Sequence, residues 1–418
     1  MRSESDRSGR RRLTQPELDM LMSAHAKFVA RQPGGKRAVL KFMHLSGLNL
    51  SRRDLSGVDL SASVLEGCQM AGVKLTGANM FGCDLRRADL RGANLVDADM
   101  RGVCLRGATL AQVDMTRADL RPGIVDAPTG AAAPTGKNVN ADLRVSDLDE
   151  ADLHGATLVE AQLDDVSAMA ADFSDCSLSG AMMRGANLRG ANFTGAILRG
   201  ANLTGANIEK ANFEGAVLMQ IDLTGARSKG ARLGGCVVDP TDQALEKAET
   251  LHAALIQHDL WCRTDGAEGA PAVVDGEDLR PIIHLISNLK LTAISARRTC
   301  LVGLRMAGAQ LQGARLDGAD LRGSDLSGAD LRGVRLMQAN LTKTIMRKAT
   351  LGPLVVGTRA VTADLTGVRG RYLDVQGADL TGASFAEADL RGANFTDAEI
   401  KQTNLSQVDV KTVIGLPA

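Results

Sequence analysis

The sequence predicts an all-β solenoid, in which short extended segments alternate with bends and wind into stacked coils. Three observations lead to this fold class. Every fifth residue from Leu40 to Leu120 is Leu or Met. Phe173, Phe193 and Phe213 lie twenty residues apart, which predicts an aromatic stack on one side of successive four-sided coils. Only 2% of the residues are aromatic whereas Gly occurs 45 times, so the core must consist mainly of small and aliphatic side chains.

A period of five residues fits neither an α-helix nor a flat β-strand. The period also holds through residues 40–120 without drift, which no single helix or strand could sustain. Each five-residue unit is therefore one short extended piece and one bend. The Leu or Met and the small residue two positions before it point inward, and Gly and polar residues form the bend. Stacked coils then satisfy one another's backbone hydrogen bonds.

The repeating unit is exemplified by Ala88-Asp89-Leu90-Arg91-Gly92, and it recurs as A-N-L-T-G at 201–205 and as A-D-L-R-G at 329–333. This motif resembles that of the pentapeptide repeat family, often written A(D/N)LXX. The resemblance covers most of the chain. It implies a right-handed quadrilateral β-helix, with one pentapeptide on each side and four in each coil.

The N-terminal segment departs from this period. Residues 1–13 are rich in Arg and are predicted to form a disordered basic arm. A cap helix is expected within residues 14–35, with Thr14 as N-cap, Pro16 in the first turn and Glu17 at the third helical position. Solenoids need such caps because an open end is an unpaired strand edge. The side chains expected to share one helix face are Leu18, Leu21, Met22, His25 and Phe28.

Breaks in the period predict the remaining domains. Their order is a repeat β-helix at 36–121, a Pro/Ala/Gly loop at 122–140, a repeat β-helix at 141–238, an acidic helical insertion or second cap at 239–288, and a repeat β-helix at 289–412. The apolar stripe expected on the second helix consists of Leu245, Ala248, Leu251, Leu255 and Ile256. His25 and His258 occupy matching places in the two helical segments, which predicts an internal duplication and a packing role for both histidines. The period slips by one residue near 357–365.

The sequence does not predict an enzyme, a cofactor site or a metal site. It contains no phosphate-binding loop, nucleophile elbow or zinc-protease motif, and its seven Cys include no CxxC pair. Cys68, Cys83, Cys176 and Cys236 fall at the small inward position and are expected to act as small apolar residues. No stretch is long and apolar enough for a transmembrane segment. The polar start is unlike a secretory signal, so a cytoplasmic location is expected.

Function is therefore expected on the outer surface, where charge is the remaining clue. The formal net charge is zero, but the chain is basic, then acidic, then basic along its length. Residues 147–175 contain no Lys or Arg and form the candidate partner-binding acidic patch. Its members are Asp147, Asp149, Glu150, Asp152, Glu160, Asp164, Asp165, Asp172 and Asp175.

The main hypothesis is a non-catalytic protein-binding scaffold that uses the outer faces of a rigid β-helix for an unidentified protein partner. The family resemblance implies an alternative, because some pentapeptide repeat proteins are acidic dimeric rods that resemble B-DNA and bind DNA gyrase. Wall arginines argue against such a DNA mimic, since they would repel a DNA-binding surface. They are Arg86, Arg91, Arg101, Arg106, Arg322, Arg332 and Arg335. A self-assembling structural protein, that is, a homo-oligomer, is the third alternative. Nucleic acid is not an expected partner, because few aromatic residues accompany the basic ones.

Overall fold

The computed structural model of the chain describes residues 10–125, 142–286 and 289–416. The chain divides into two compact units, Met1–Asp239 and Pro240–Ala418. Each unit is a four-sided, right-handed β-helix of pentapeptides with an α-helix at its N-terminal side. The predicted fold class is confirmed.

Four parallel ladders of single β-bridges define the four sides of the coils in the first unit. Along each ladder, bridged residues lie twenty positions apart except at the N-terminal segment and at the interruption, and most of them immediately precede a central Leu, Met or Phe. One coil illustrates this, with the bridges Asn79↔Asp99, Asp84↔Cys104, Asp89↔Thr109 and Asn94↔Asp114. The N–H of Leu90 donates to the carbonyl of Thr109 at 2.8 Å, and the N–H of Thr109 donates to the carbonyl of Ala88 at 3.0 Å. Every coil therefore supplies the backbone partners of the next.

The positions of each pentapeptide have distinct environments. The central residue and the small residue two positions before it point inward. The residues on either side of the central one occupy the outer wall, and the residue two positions after it forms the corner. Phe173, Phe193 and Phe213 occupy central positions, and their rings stack at 4.9 and 4.7 Å with planes within 3° of parallel. The predicted aromatic stack is confirmed.

Corner residues adopt the left-handed backbone region, which explains the many glycines. Where a corner is not Gly, its side chain extends along the solenoid over the corner of the next coil. Arg52, with φ of 58°, places its Cγ 3.5 Å from the point where a Cβ on Gly72 would lie. A Gly corner thus makes room for the bulky corner of the coil before it. Other bulky corners follow one another directly, as Arg117 follows Asp97.

The first helix, α1, spans Gln15–Val29 and begins with the predicted capping box between Thr14 and Glu17. The Thr14 N–H donates to Glu17 Oε2 at 2.8 Å. The side chains of Leu18, Met22 and His25 are buried. Two members of the predicted apolar face are instead exposed, namely Leu21 and Phe28.

The end of the predicted disordered arm is ordered. Arg12 forms a parallel bridge with His44, and the N–H of Leu13 donates to the His44 carbonyl at 3.1 Å. Leu13 is also buried in the core of the first coil. The expectation of disorder is therefore wrong for residues 10–13, because this segment adds a strand edge to the coil. Residues 1–9 lie outside the described residues.

One short strand lies on each side of the first interruption, and the two strands pair with each other. Strand β1, Gly123–Val125, pairs antiparallel with β2, Asp142–Arg144, so the predicted loop 122–140 begins inside a hairpin. The middle of that loop lies outside the described residues. The coils continue beyond the loop, as the parallel bridge between Cys104 and Asp147 shows.

The second helix, α2, spans Asp242–Arg263, and the Thr241 hydroxyl accepts a hydrogen bond from the Ala244 N–H. Its buried side chains are Ala244, Leu255 and His258, whereas Leu245 and Ile256 are exposed. Ala248 and Leu251 also pack against the core of the second unit. The predicted stripe is therefore right for Ala248, Leu251 and Leu255 and wrong for Leu245 and Ile256.

The coils of the second unit begin earlier than predicted. Val273 already bridges to Ser295, and Asp278 to Cys300, so the segment 239–288 includes part of the first coil. A 3₁₀-helix at Arg280–Ile282 interrupts that coil. A second 3₁₀-helix, Val410–Thr412, follows the last coil.

The slip near 357–365 is a β-hairpin and not a one-residue change of register. Strand β3, Leu354–Val356, pairs antiparallel with β4, Arg359–Val361. Around it, Arg335 bridges to Asp364, a separation of 29 residues in place of 20. The hairpin thus inserts nine residues into the coil. Because two pentapeptides contain ten residues, the repeat after the hairpin is displaced by one position in the sequence.

Candidate protein-binding surface

The walls of both units carry arginine–aspartate pairs within single pentapeptides. Asp and Arg on either side of a central Leu lie on the same face of the extended segment. Two guanidinium nitrogens of the Arg donate hydrogen bonds to the two carboxylate oxygens of the Asp. Arg91 Nε lies 2.8 Å from Asp89 Oδ1, and Arg91 Nη2 lies 2.6 Å from Asp89 Oδ2. Arg86, Arg101, Arg322 and Arg332 make the same contact with the aspartate two residues before them.

These pairs reduce the net positive charge at the wall arginines. The hydrogen bonds from Arg91 hold the pKa of Asp89 below its usual value. Arg106 lies 3.6 Å from the Asp149 carboxylate, and Arg335 lies 3.5 Å from that of Asp317. All seven arginines that were expected to repel a DNA-binding surface thus lie beside carboxylates. These carboxylates reduce the positive charge that the arginines give to the walls, which the sequence reasoning did not consider.

The acidic run at 147–175 does not form one patch. Because a coil contains twenty residues, a run of this length passes around all four sides. Asp147, Asp149 and Glu150 belong to one side, which contains the bridge from Asp147 to Ser167. Asp152, Asp172 and Asp175 lie on the second side, Glu160 lies on the third, and Asp164 and Asp165 lie on the fourth.

Two of these carboxylates are also inaccessible. Asp149 is 4% exposed and Asp164 is 7% exposed. Asp149 Oδ1 accepts hydrogen bonds from the Ser167 hydroxyl and from the Met169 N–H, both at 2.7 Å. The Asp164 carboxylate accepts from the backbone and the guanidinium of Arg184. These aspartates stabilise the wall between coils, so the candidate acidic patch is not a single partner-binding surface.

A buried histidine joins each α-helix to its β-helix. His25 Nδ1 accepts a hydrogen bond from the Ala38 N–H at 3.1 Å, and His258 Nδ1 accepts one from the Ala272 N–H at 3.0 Å. His258 Nε2 lies 3.1 Å from the Thr292 carbonyl. Both imidazoles are fully buried, and burial lowers the pKa of each. The packing role predicted for both histidines is confirmed.

Acidification should weaken both helix attachments. A protonated Nδ1 cannot accept the backbone N–H, so the folded state resists protonation while the unfolded chain binds protons below about pH 6.5. Stability is therefore complete above that pH and is lost as the pH falls toward the lowered pKa values, by at most about 1.4 kcal/mol per pH unit for each histidine. Thermal melts at pH 7.5 and 5.5 test this.

The variant His25→Asn/His258→Asn is the control for the melts, because the amide oxygen can accept the same N–H without titrating. Its melting temperature should change less between the two pH values than that of the parent. Equal shifts in both proteins would show that other groups cause the pH dependence.

The cysteines at the inward position form weak hydrogen bonds across coils. Cys68 Sγ donates to the Leu45 carbonyl at 3.0 Å, and Cys83 Sγ to the Leu60 carbonyl at 3.0 Å. Burial raises the pKa of the Cys83 thiol to about 12, which disfavours the reactive thiolate. The described residues contain no group of His, Cys, Asp or Glu side chains that could hold a metal ion.

The hairpin β3–β4 carries three exposed valines. Val355 is 70% exposed, Val356 is 59% exposed and Val361 is 44% exposed. Leu354 anchors the base of the hairpin against the corner glycines of two coils. A Cβ on Gly333 would lie 2.8 Å from Leu354 Cβ, and one on Gly313 would lie 3.5 Å from Leu354 Cδ2.

Sequence reasoning missed this surface. The signal was present in the run L-V-V-G-T-R-A-V at 354–361, where β-branched residues flank a Gly that can form a two-residue turn. The run was assigned to a phase slip because the repeats on both sides dominate the pattern.

Four-sided coils with a helix at one side define a repeat protein whose outer surface is available for contacts. The family model described as pentapeptide repeats matches residues 44–82, 83–121, 139–165, 171–209, 201–237, 305–342 and 374–411. These segments cover more than half of the chain. The chain belongs to the pentapeptide repeat family.

Solved structures of other pentapeptide repeat proteins are similar to the chain. Rfr23 from the cyanobacterium Cyanothece 51142 is 31% identical over 32% of this chain and 89% of its own, with a TM-score of 0.27. HetL from the cyanobacterium Nostoc sp. strain PCC 7120 is 22% identical over 97% of this chain and 100% of its own, with a TM-score of 0.17. QnrB1, a plasmid-mediated fluoroquinolone resistance protein, is 20% identical over 51% of this chain and 96% of its own, with a TM-score of 0.28.

These low TM-scores leave the family assignment resting on the repeat match. No curated protein matches the chain. Among the described residues, neither helix has the length and apolar character needed to cross a bilayer.

Proposed function

We propose that this protein is a non-catalytic, cytoplasmic protein-binding scaffold and that the hairpin β3–β4 contacts its partner. The exposed valines of this hairpin are the observation that carries the proposal. Burying a Val side chain that was exposed contributes about 1.5–3 kcal/mol. Val355 and Val356 point to opposite faces of the hairpin, so a partner that holds the hairpin in a cleft could bury both. Scattered exposed apolar residues are ordinary on surfaces, but adjacent ones on a projecting element favour a binding role.

The hairpin base also favours binding, because its position is held before a partner arrives. Leu354 packs over the glycine corners, and the strands pair in register from Leu354↔Val361 to Val356↔Arg359. A preorganised element loses little conformational entropy on binding.

The alternative of a DNA mimic has less support, since the acidic residues lie on four sides and the wall arginines lie beside carboxylates.

Replacing Val355 and Val356 by Ser should abolish the specific contact while the fold is kept. The experiment is affinity capture from host lysate with quantitative mass spectrometry, using the parent and the variant as baits. Val39→Ser is the matched control, because Val39 is a 62% exposed Val on the other unit. A partner retained by the control and lost with the hairpin variant supports the proposal. Identical captured proteins with all three baits would refute it.

Gly333→Ala tests the hairpin anchor without changing the exposed valines. Gly333 and Gly328 both have φ of +65°, but a Cβ on Gly328 meets nothing within 4 Å. Both substitutions carry the left-handed strain of about 1–2 kcal/mol, and only Gly333→Ala also pushes against Leu354. We expect a lower melting temperature for Gly333→Ala than for Gly328→Ala, and faster hydrogen exchange in residues 354–361. Equal behaviour would mean that Leu354 does not depend on the corner.

A further inference from the structure

One pentapeptide of the second unit, Val368–Tyr372, departs from the repeat at three positions. Arg369 occupies the wall position before the centre, where most repeats carry Asp or Asn. Gly370 takes the place of the central Leu, and Tyr372 forms the corner with φ of 54°. A bulky aromatic residue in the left-handed region is strained. Departures from an otherwise consistent pattern are where function is most often found.

The surrounding structure accommodates these departures. A Cβ on Gly370 would lie 2.8 Å from Leu390 Cδ2, so a neighbouring Leu fills the missing central side chain. Lys343, in the coil before, places its Nζ 4.9 Å from the centre of the Tyr372 ring. The Tyr372 ring therefore lies at a corner of the solenoid beside a cation.

Basic side chains surround this corner on both adjoining walls. We call this set, together with Ile345 and Tyr372, the basic corner. Its cations are Lys343, Arg347, Lys348, Arg369, Arg371 and Arg391. The carboxylates paired with them are those of Asp374, with Arg347, and Asp389, with Arg371 and Arg391. Asp397 lies on the same wall, at the corner two coils after Lys348. Six cations against three carboxylates leave a local charge of +3. Arg369 and Lys348 are both exposed, and no ion pair involves either within the described part of the chain.

The basic corner differs from the walls built of A-D-L-R-G units, because the pentapeptides 339–343, 344–348 and 368–372 contain cations but no Asp of their own. Ile345 and Tyr372 are half-buried and add an apolar centre to the cations. The corner also lies diagonally opposite the hairpin β3–β4, because two sides of the coil separate them in either direction. It is therefore a different surface from the one proposed above.

An acidic surface of matching composition exists on the same chain. Segment 239–288 has three basic and ten acidic residues, a net charge of −7. On α2, Asp242, Leu245, Glu246 and Glu249 follow helical spacing and lie on one face. Leu245 is 54% exposed, and the three carboxylates are exposed without an ion pair among the described residues. We call these four residues the acidic helix face.

The acidic helix face cannot reach the basic corner of its own molecule. Leu255 packs α2 into the core cluster of the second unit, and His258 holds it to the first coil through Ala272. The basic corner belongs to the fourth, fifth and sixth coils of that unit. At about 4.8 Å per coil, these lie well over 10 Å further along the solenoid.

We propose that the acidic helix face of one copy binds the basic corner of a second copy. Three carboxylates around Leu245 then meet the cations around Ile345 and Tyr372, so that opposite charges surround an apolar contact. The two surfaces are different parts of the molecule, and the contact is therefore heterologous. A heterologous contact that does not close into a ring produces linear chains of molecules.

The experiment is sedimentation velocity of the full chain over a range of protein concentrations at about 0.05 M and about 0.5 M salt. The acid-reversed variant is Glu246→Lys/Glu249→Lys, and the base-reversed variant is Lys348→Glu/Arg369→Glu. Glu160→Lys/Asp165→Lys is the control, because these exposed corner carboxylates of the first unit give the same change in net charge as the acid-reversed variant. Circular dichroism establishes that each variant is folded.

The parent should associate at low salt, increasingly so with concentration, and dissociate at high salt. Each reversed variant should associate at least about tenfold more weakly, whereas the control associates like the parent. An equimolar mixture of the two reversed variants should stop at dimers, since each then supplies one intact surface. A monomeric parent at low salt, or association that survives either reversal, would overturn the proposal.

Discussion

Lysine at position 90 should unfold the coils around it. Leu90 is a central residue with no exposed surface. Its N–H donates to the Thr109 carbonyl of the next coil, and its carbonyl accepts from the Ala93 N–H at the adjoining corner. An ammonium group at this place has no carboxylate within the core, and an unpaired buried charge costs several kcal/mol. We expect loss of the β-signal from the first unit in circular dichroism and a melting transition that moves below that of the parent. A native spectrum and melt would mean that position 90 does not point inward.

Leu90→Met separates charge from shape in this experiment. Met occupies the same central position at Met70, Met80 and Met100, where it is equally buried. A volume-conserving change of this kind usually costs less than about 1.5 kcal/mol. The Met variant should therefore melt close to the parent, and a large loss of stability with Met would instead indicate a strict shape requirement.

Removing the middle ring of the aromatic stack should be the second largest effect. Phe193 is fully buried between Phe173 and Phe213, so Phe193→Ala removes two ring contacts and leaves a cavity. Substitutions of this type cost about 3–5 kcal/mol. Because each coil contacts only its neighbours, hydrogen exchange should accelerate mainly in the coils that contain the three rings. Uniform acceleration across the first unit would show that the unit unfolds as a whole.

Phe193→Leu is the matched control, because Leu is the usual central residue. It keeps the core filled with an aliphatic side chain but breaks the stack, so the cost should be smaller than for Ala. The difference between the two variants measures the cavity, and the remaining loss with Leu measures the stack. A Leu variant as unstable as the Ala variant would mean that ring stacking dominates.

The inward positions could be predicted because the five-residue period encodes them directly. Leu90 and Phe193 needed only the register to be placed in the core. The arginine–aspartate pairs could also have been predicted, because Asp89 and Arg91 are separated by one residue in an extended segment. They were missed because charges were counted along the chain and not across each central Leu.

Other features depend on three-dimensional closure that the period does not reveal. The acidic run seemed contiguous because sequence distance was taken for surface distance, yet Asp147 and Asp164 lie on different sides of the coil. The faces of the two helices were also imprecise. A helix placed over one end of a solenoid buries only a narrow stripe, and apolar residues such as Leu21 and Leu245 remain outside it. The hairpin at 354–361 was hidden because its length nearly matches two repeats.

The arginine–aspartate pairs have a consequence for how such a chain can grow. A pentapeptide with the sequence A-D-L-R-G contains its own counter-ion, so its wall adds no net charge wherever the unit is placed. Duplicating or deleting a coil of such units leaves the long-range field of the molecule almost unchanged. The number of coils can then change during evolution without placing unpaired like charges next to one another. Selection can act instead on the few pentapeptides, such as Val368–Tyr372, whose charges remain unbalanced.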